Sequence, residues 1–177
     1  GSNGAGKTTL SKHLNGLRRP SSGTVLINGR DISGTETSQI ALEVGYCFQN
    51  PDHQIFSKTV LEEVMFGPSC QGVHEDEGRR RDQAMLERFG ISELAEVNPH
   101  SLGKGERQKV ALASILVLEP PILVIDEPTT GLDWAECQQI LDIISGFRDS
   151  GTTVIAITHD MRLVRERASR VIAMSHG

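Results

Sequence analysis

Three stretches in the second half of the chain are apolar at nearly every position: Ile122-Leu123-Val124-Ile125, Thr153-Val154-Ile155-Ala156-Ile157 and Val171-Ile172-Ala173-Met174. They do not alternate with polar residues, which is the pattern of strands buried on both faces of a parallel sheet. Between the first two, Ile140, Ile143, Ile144 and Phe147 recur on one side of a helix. Two shorter strands are expected earlier, over residues 24–27 and 44–48, and Asn28-Gly29 after the first signals a tight turn. Residues 10–17 read as a helix that continues a Gly-rich loop and is closed by Arg19-Pro20-Ser21-Ser22-Gly23. From about residue 61 to about 118 the pattern is mostly helical, with Leu61-Glu62-Glu63-Val64-Met65-Phe66 followed by Met85, Leu86 and Phe89 at helical spacing. Strands alternating with helices predict an α/β fold.

Composition narrows this picture only slightly. With 177 residues, 37% hydrophobic and 23% charged, the chain suits one ordinary globular domain with a real core. A net charge of −5 offers no basic face, so no nucleic acid is expected as a partner. Cys47, Cys70 and Cys137 form neither a CxxC pair nor a metal pattern and are expected as reduced thiols. Glu119, Pro120 and Pro121 interrupt the longest apolar stretch, and no window approaches the roughly 18 to 20 apolar residues of a membrane span. Any action at a membrane is expected to run through a partner. The Arg79-Arg80-Arg81 run is flanked by Glu75, Asp76, Glu77 and Asp82 and is expected on a solvated helix face.

Gly1-Ser2-Asn3-Gly4-Ala5-Gly6-Lys7-Thr8 fits G-x-x-x-x-G-K-[ST] in full. Glycines let the backbone turn its N–H groups inward around phosphate oxygens. The helix that follows presents its positive N-terminus to the same anion. Lys7 is expected to reach the β- and γ-phosphates of a nucleotide, and Thr8 to place its hydroxyl on Mg²⁺. Because Gly1 already belongs to this motif, the sequence is expected to be an N-terminally truncated piece lacking the strand that feeds the loop. Alone, it is expected to be poorly stable, without a cooperative melt above about 50 °C.

The strand over residues 122–125 runs into Asp126 and Glu127. In a nucleotide site the first acid should hold the Mg²⁺ shell and the second should polarise the attacking water. The long separation of Lys7 from Asp126 exceeds what a minimal phosphate-loop fold needs, and the helical middle segment fills it.

The sequence closely resembles the ATPases of the ABC transporter family, through several motifs in the family's order. Gln49, in Tyr46-Cys47-Phe48-Gln49-Asn50-Pro51, matches the Q-loop. Leu102-Gly103-Lys104-Gly105-Glu106 aligns with the signature motif. Asp126 and Glu127 end the Walker B strand, Pro128-Thr129-Thr130-Gly131-Leu132-Asp133 matches the D-loop, and Thr158-His159-Asp160 matches the switch-histidine region. The resemblance implies a P-loop, RecA-like core over about 1–50 and 119–177, with an inserted α-helical subdomain over about 51–118. It implies two such domains head to tail, with ATP between the Walker A loop of one and the signature of the other. The ATP-binding set is then Gly1 to Gly6, Lys7, Thr8 and Thr9, together with Leu102, Gly103, Lys104, Gly105, Glu106 and Asp133. Glu127 would be the catalytic base, His159 would contact the γ-phosphate, and Gln49 would join Thr8 and Asp126 at Mg²⁺ and link to the membrane subunit. The signature departs from the family at Gly103, where a serine hydroxyl is lost, and at Lys104, where a charge is gained.

Residues 48–56 (Phe48-Gln49-Asn50-Pro51-Asp52-His53-Gln54-Ile55-Phe56), with Thr59-Val60 and Phe66-Gly67-Pro68, are similar to the energy-coupling factor ATPases, which drive vitamin and cobalt or nickel uptake. That likeness implies a second ATPase subunit, an integral membrane coupling subunit and a peripheral position on the cytoplasmic face of the membrane. The alternatives are the ATPase of another ABC importer, a soluble ABC ATPase outside transport, or a non-catalytic binding module.

Overall fold

The computed structural model describes residues 4–175, apart from the side chain of Glu75. Three parallel strands form its centre: β3 (Val44–Cys47), β4 (Ile122–Asp126) and β5 (Thr153–Ile157), in the order β3-β4-β5. Val44 pairs with Ile122, and Ile122 with Thr153, so the strand ends on one side of the sheet lie level. A small hairpin of β1 (Leu26–Ile27) and β2 (Arg30–Asp31) precedes them, turning at Asn28-Gly29.

β4 alternates with the period of two that a strand imposes. Leu123 and Ile125 enter one core cluster and Val124 enters the other. Both faces of β4 are therefore covered, and the apolar run without alternation follows. The first cluster lies under α3 (Val60–Cys70), α4 (Glu75–Phe89), α5 (Lys104–Leu116) and α6 (Trp134–Asp149). The second gathers Ile27, Ile32, Ile40, Val44, Tyr46, Val124 and Ile157, with Leu14 of α1 (Lys7–Leu14) against it. A short α2 (Thr37–Ile40) carries Ile40, and α7 (Met161–Arg167) follows β5. On α6, Ile140, Ile144 and Phe147 face inward, as their spacing requires. Among the described residues no helix is long and apolar enough to cross a membrane.

Three expectations fail. Residues 171–174 form no strand, and Val171 and Ile172 stand 60% and 74% exposed. An apolar run specifies burial but not a ladder partner, and β5 pairs only with β4 among the described residues. The second failure is β5, expected to be buried on both faces: Thr153, Ile155 and Ala156 are exposed and only Ile157 is buried. The third is Asp82. Arg79, Arg80 and Arg81 are exposed as expected, with Arg81 Nε donating to Glu77 at 2.9 Å. Asp82 instead is 1% exposed, on the helix face that also carries Met85, Leu86 and Phe89. Its offsets of three, four and seven residues from those side chains place it there.

Neither Asp82 carboxylate oxygen has a hydrogen-bond partner among the described residues. Burial pushes its carboxyl up from the ordinary value to about 6. Below about pH 4 the group is protonated in the folded and the unfolded chain alike. Between about pH 4 and pH 6 the unfolded chain loses its proton first, so stability falls as pH rises, and above about pH 6 the penalty is complete. Asp82→Asn in the full-length protein is expected to stabilise it at about pH 7.5 by on the order of 2 kcal/mol, with the gain fading towards about pH 4. Urea unfolding of both proteins at the two pH values checks this; an equal gap at both would contradict it.

Candidate functional site

The phosphate loop meets the sheet at the C-terminal ends of β3 and β4. Gly1, Ser2 and Asn3 lie outside the described residues. Gly4 and Gly6 hold φ of 79° and 83°, left-handed values that only glycine adopts without strain. Gly6 caps α1, so Lys7 and Thr8 are its first two residues, and the positive end of the helix dipole there suits an anion. Thr8 Oγ1 donates to Asp126 Oδ2 at 2.7 Å.

A hydroxyl pair braces this corner from behind. Ser11 Oγ donates to the Thr8 carbonyl at 3.0 Å and lies 2.9 Å from Tyr46 Oη. With the serine proton directed to the carbonyl, Tyr46 is the donor to Ser11. Burial raises the Tyr46 phenol above its ordinary value, the Ser11 hydrogen bond opposes this, and the nearby Asp126 charge adds to the rise. The motifs did not single out Ser11 or assign Tyr46 a role; a tyrosine within an otherwise apolar strand is the only signal the sequence offers.

Asp126 ends β4 and is 3% exposed. Glu127 follows with φ 52°, a conformation that costs a non-glycine residue on the order of 1 kcal/mol or more. Its N–H donates to the Ile157 carbonyl at 2.8 Å, which ties the strained residue to the end of β5. His159 lies just beyond that end. Its Nδ1 stands 2.9 Å from Glu127 Oε1 and 2.8 Å from Oε2. Gln49, just past β3, completes the wall. Gly4, Ala5, Gly6, Lys7, Thr8, Thr9, Gln49, Asp126 and Glu127 thus line one cleft of about 420 Å³.

The other predicted residues assemble elsewhere. Gly103 is the N-cap of α5, and its N–H donates to Glu106 Oε2 at 3.0 Å. Leu102 is buried, while Lys104 is exposed. Asp133 caps α6 by accepting from the Glu136 N–H at 2.8 Å. The two helix starts touch: a Cβ on Gly105 would strike the Glu136 carboxylate, and one on Gly131 would strike the Lys104 ammonium. Leu102 to Glu106 and Asp133 therefore form a second group, and none of them lines the cleft.

The fit of a divalent cation can be judged from the donors. Asp126 Oδ1 is buried and has no hydrogen-bond partner, a condition that a buried carboxylate oxygen does not tolerate cheaply. Among the described residues no cluster of three or more His, Cys, Asp or Glu side chains could hold a metal. One hydroxyl and one carboxylate, leaving room for phosphate oxygens, is instead the sparse oxygen set that Mg²⁺ takes. Thr8 and Asp126 fit that ion.

A family model described as ABC transporter matches residues 1–130. The chain belongs to the ABC transporter family. Its relatives include an ABC transporter ATP-binding protein of Methanosarcina acetivorans, 49% identical over 177 residues, which span all of this chain and 29% of that protein. An energy-coupling factor transporter ATP-binding protein, EcfA, of Methanothermobacter thermautotrophicus is 44% identical over 179 residues, covering 100% of this chain and 58% of that one. Among solved structures, cbiO1 from Clostridium perfringens, described as part of the ABC transporter complex cbiONQ, superposes with a TM-score of 0.80 at 38% identity, covering 90% of this chain and 65% of that one. The chain spans from 29% to 68% of the length of curated relatives it matches. The chain has the ABC ATPase fold.

The Tyr46–Ser11 brace generates a stability prediction. Tyr46→Phe in the full-length protein removes one buried hydrogen bond and is expected to lower stability by about 1 kcal/mol. A denaturant midpoint unchanged from wild type would show that the hydroxyl pair contributes nothing.

Proposed function

We propose that the protein is the nucleotide-binding subunit of an ABC transporter, that it binds and hydrolyses ATP with Mg²⁺, and that it is of the energy-coupling factor type, importing a vitamin or a transition-metal ion. The observation that carries this is the convergence of the phosphate loop, Gln49 and both strand-end acids on one cleft. Within the chain, residues from about 1 to 50 and about 119 to 177 make the RecA-like core, and about 51 to 118 the helical subdomain.

Each residue has a task that its position supports. The amides of the loop and the Lys7 ammonium hold the phosphates. Thr8 and Asp126 would hold Mg²⁺ through their oxygens, and the ion would supply neutralisation of phosphate charge. Glu127 takes a proton from the attacking water, and such a base contributes about 10² to 10⁴ in rate. His159 Nδ1 faces Glu127, so Nε2 is the nitrogen left for the γ-phosphate. Donating from both nitrogens at once requires the imidazolium form. Gln49 sits on the cleft wall and is assigned to Mg²⁺ with Thr8 and Asp126.

The second group, Leu102 to Glu106 with Asp133, is assigned to the cleft of a second ATPase subunit, since it lies outside its own. That dimer would sit against the cytoplasmic face of the membrane through an integral membrane coupling subunit. The resemblance to cbiO1 and EcfA supports this type.

Glu127→Gln in the full-length protein is expected to bind ATP and lose turnover by about 10²-fold or more; hydrolysis rates equal to wild type would end the assignment of the base. The transport reading predicts co-purification with an integral membrane protein, and recovery solely as a soluble complex would contradict it.

A further inference from the structure

One guanidinium joins the cleft wall to the second group of residues. Arg107, in the first turns of α5, places Nε 3.0 Å from Asp52 Oδ1. Asp52 lies in the 3₁₀ turn Pro51–His53, directly after Gln49 and Asn50. From the same side chain, Nη1 donates to the Leu102 carbonyl at 2.5 Å. Leu102 is the residue immediately before the Gly103 N-cap. The Asp52 contact is an ion pair in which Nε makes no hydrogen bond, and the bond to Leu102 comes from another nitrogen of the same rigid plane, a span that a compact ammonium does not cover.

Two further contacts join the same segments. Gln54 accepts from the Phe48 N–H at 3.2 Å and donates to the Ala111 carbonyl at 2.7 Å. Gln108 Nε2 reaches the Cys47 sulfur at 3.6 Å, in the core. Residues 47–54 are therefore linked to α5 at Arg107, Gln108 and Ala111. The last two contacts are inner and hold the elements together. The Asp52–Arg107 pair is outer, with the two side chains 44% and 22% exposed. An ion pair of that exposure adds little to stability. Its consequence is geometric: it continues past the helix to the backbone of the Leu102–Glu106 loop.

We propose that Asp52 and Arg107 are positioning residues that make the Gln49 segment and the Leu102–Glu106 loop shift as a unit. A displacement of Gln49 in the cleft is then delivered through Asp52 and Arg107 to the Leu102 carbonyl, and so to Gly103 and Lys104. In the dimeric arrangement, that loop serves the neighbouring subunit's cleft, so the strap lets the state of one cleft set the geometry offered to the other. This inference rests on the ATP-hydrolysing reading for its functional consequence, but the mechanical linkage stands without it.

The experiment uses the full-length protein and Asp52→Asn, Asp52→Ala, Arg107→Lys, Arg107→Ala and the double alanine variant. Amide hydrogen exchange is read at residues 102–106, away from the substituted Asp52. Asp52→Asn, which keeps the shape of the turn, is expected to speed exchange there by about threefold or more. Steady-state hydrolysis of ATP and binding of a fluorescent ATP analogue are read alongside. Each alanine variant is expected to lower kcat about tenfold while leaving analogue affinity within about twofold. Arg107→Lys should resemble Arg107→Ala, and the double variant should be no slower than the slower single, because both cut one strap. Unchanged exchange at 102–106, losses that multiply in the double variant, or affinity falling in step with kcat would each overturn the proposal. A wild-type protein without ATP hydrolysis, but with exchange responding to Asp52→Asn, would sink the proposed function and leave the linkage standing.

Discussion

The hydrogen bond from Thr8 to Asp126 is the constraint on which the rest of the structure depends. It spans 118 positions of sequence, so the intervening chain must leave the phosphate loop and return to within 2.7 Å of it. The return is made by a strand whose neighbours are set by register: β4 lies between β3 and β5, and the end of each strand delivers a side chain to one place. Gln49 follows β3, Asp126 and Glu127 end β4, and His159 follows β5. The sheet thus brings Gln49, Asp126 and Glu127 to one cleft with the loop, while His159 stands outside that lining, against Glu127.

The same corner holds two locally unfavourable features. Asp126 keeps one carboxylate oxygen buried and without a partner, and Glu127 holds a left-handed backbone pinned by its bond to Ile157. Both features are unfavourable by themselves. They persist because the surrounding core, with Leu123, Val124 and Ile125 fully buried, over-determines where β4 ends. The Ser11–Tyr46 hydroxyl pair extends that rigidity to the carbonyl of Thr8.

The α5 helix belongs to two tasks. Its buried face, including Val110, Ala111, Leu112, Ala113 and Leu116, fills the larger core cluster. Its start packs on the start of α6 so closely that Gly105 and Gly131 leave room for the side chains of Glu136 and Lys104. Gly103 and Lys104 lie at this junction, and the Lys104 ammonium is accommodated against Gly131 because that residue has no Cβ. The helix is thus packed at its centre and exposed at its tip, which suits an element whose tip is proposed to act outside its own cleft.

The sequence by itself determined the elements whose cause is local. Left-handed glycines before a lysine define the phosphate loop, unbroken apolar runs define β4 and β5, and Ile140, Ile144 and Phe147 define the inner face of α6. Asp126 and Glu127 were legible because an apolar strand that stops at acids has few other uses beside such a loop. Tertiary structure decided everything that needs a partner. Residues 171–174 have the composition of a strand but pair with nothing among the described residues, because hydrogen-bond ladders are made between segments and composition names only one of them. Asp82 looked solvated beside its charged neighbours, yet the packing of α4 carried it inward with Met85, Leu86 and Phe89. The Ser11–Tyr46 pair and the Arg107 strap join residues that no spacing rule connects. So does the separation of Leu102 to Glu106 from the cleft: motif order along a chain says which chemistry is present, and only the path of the folded backbone says which groups share a site.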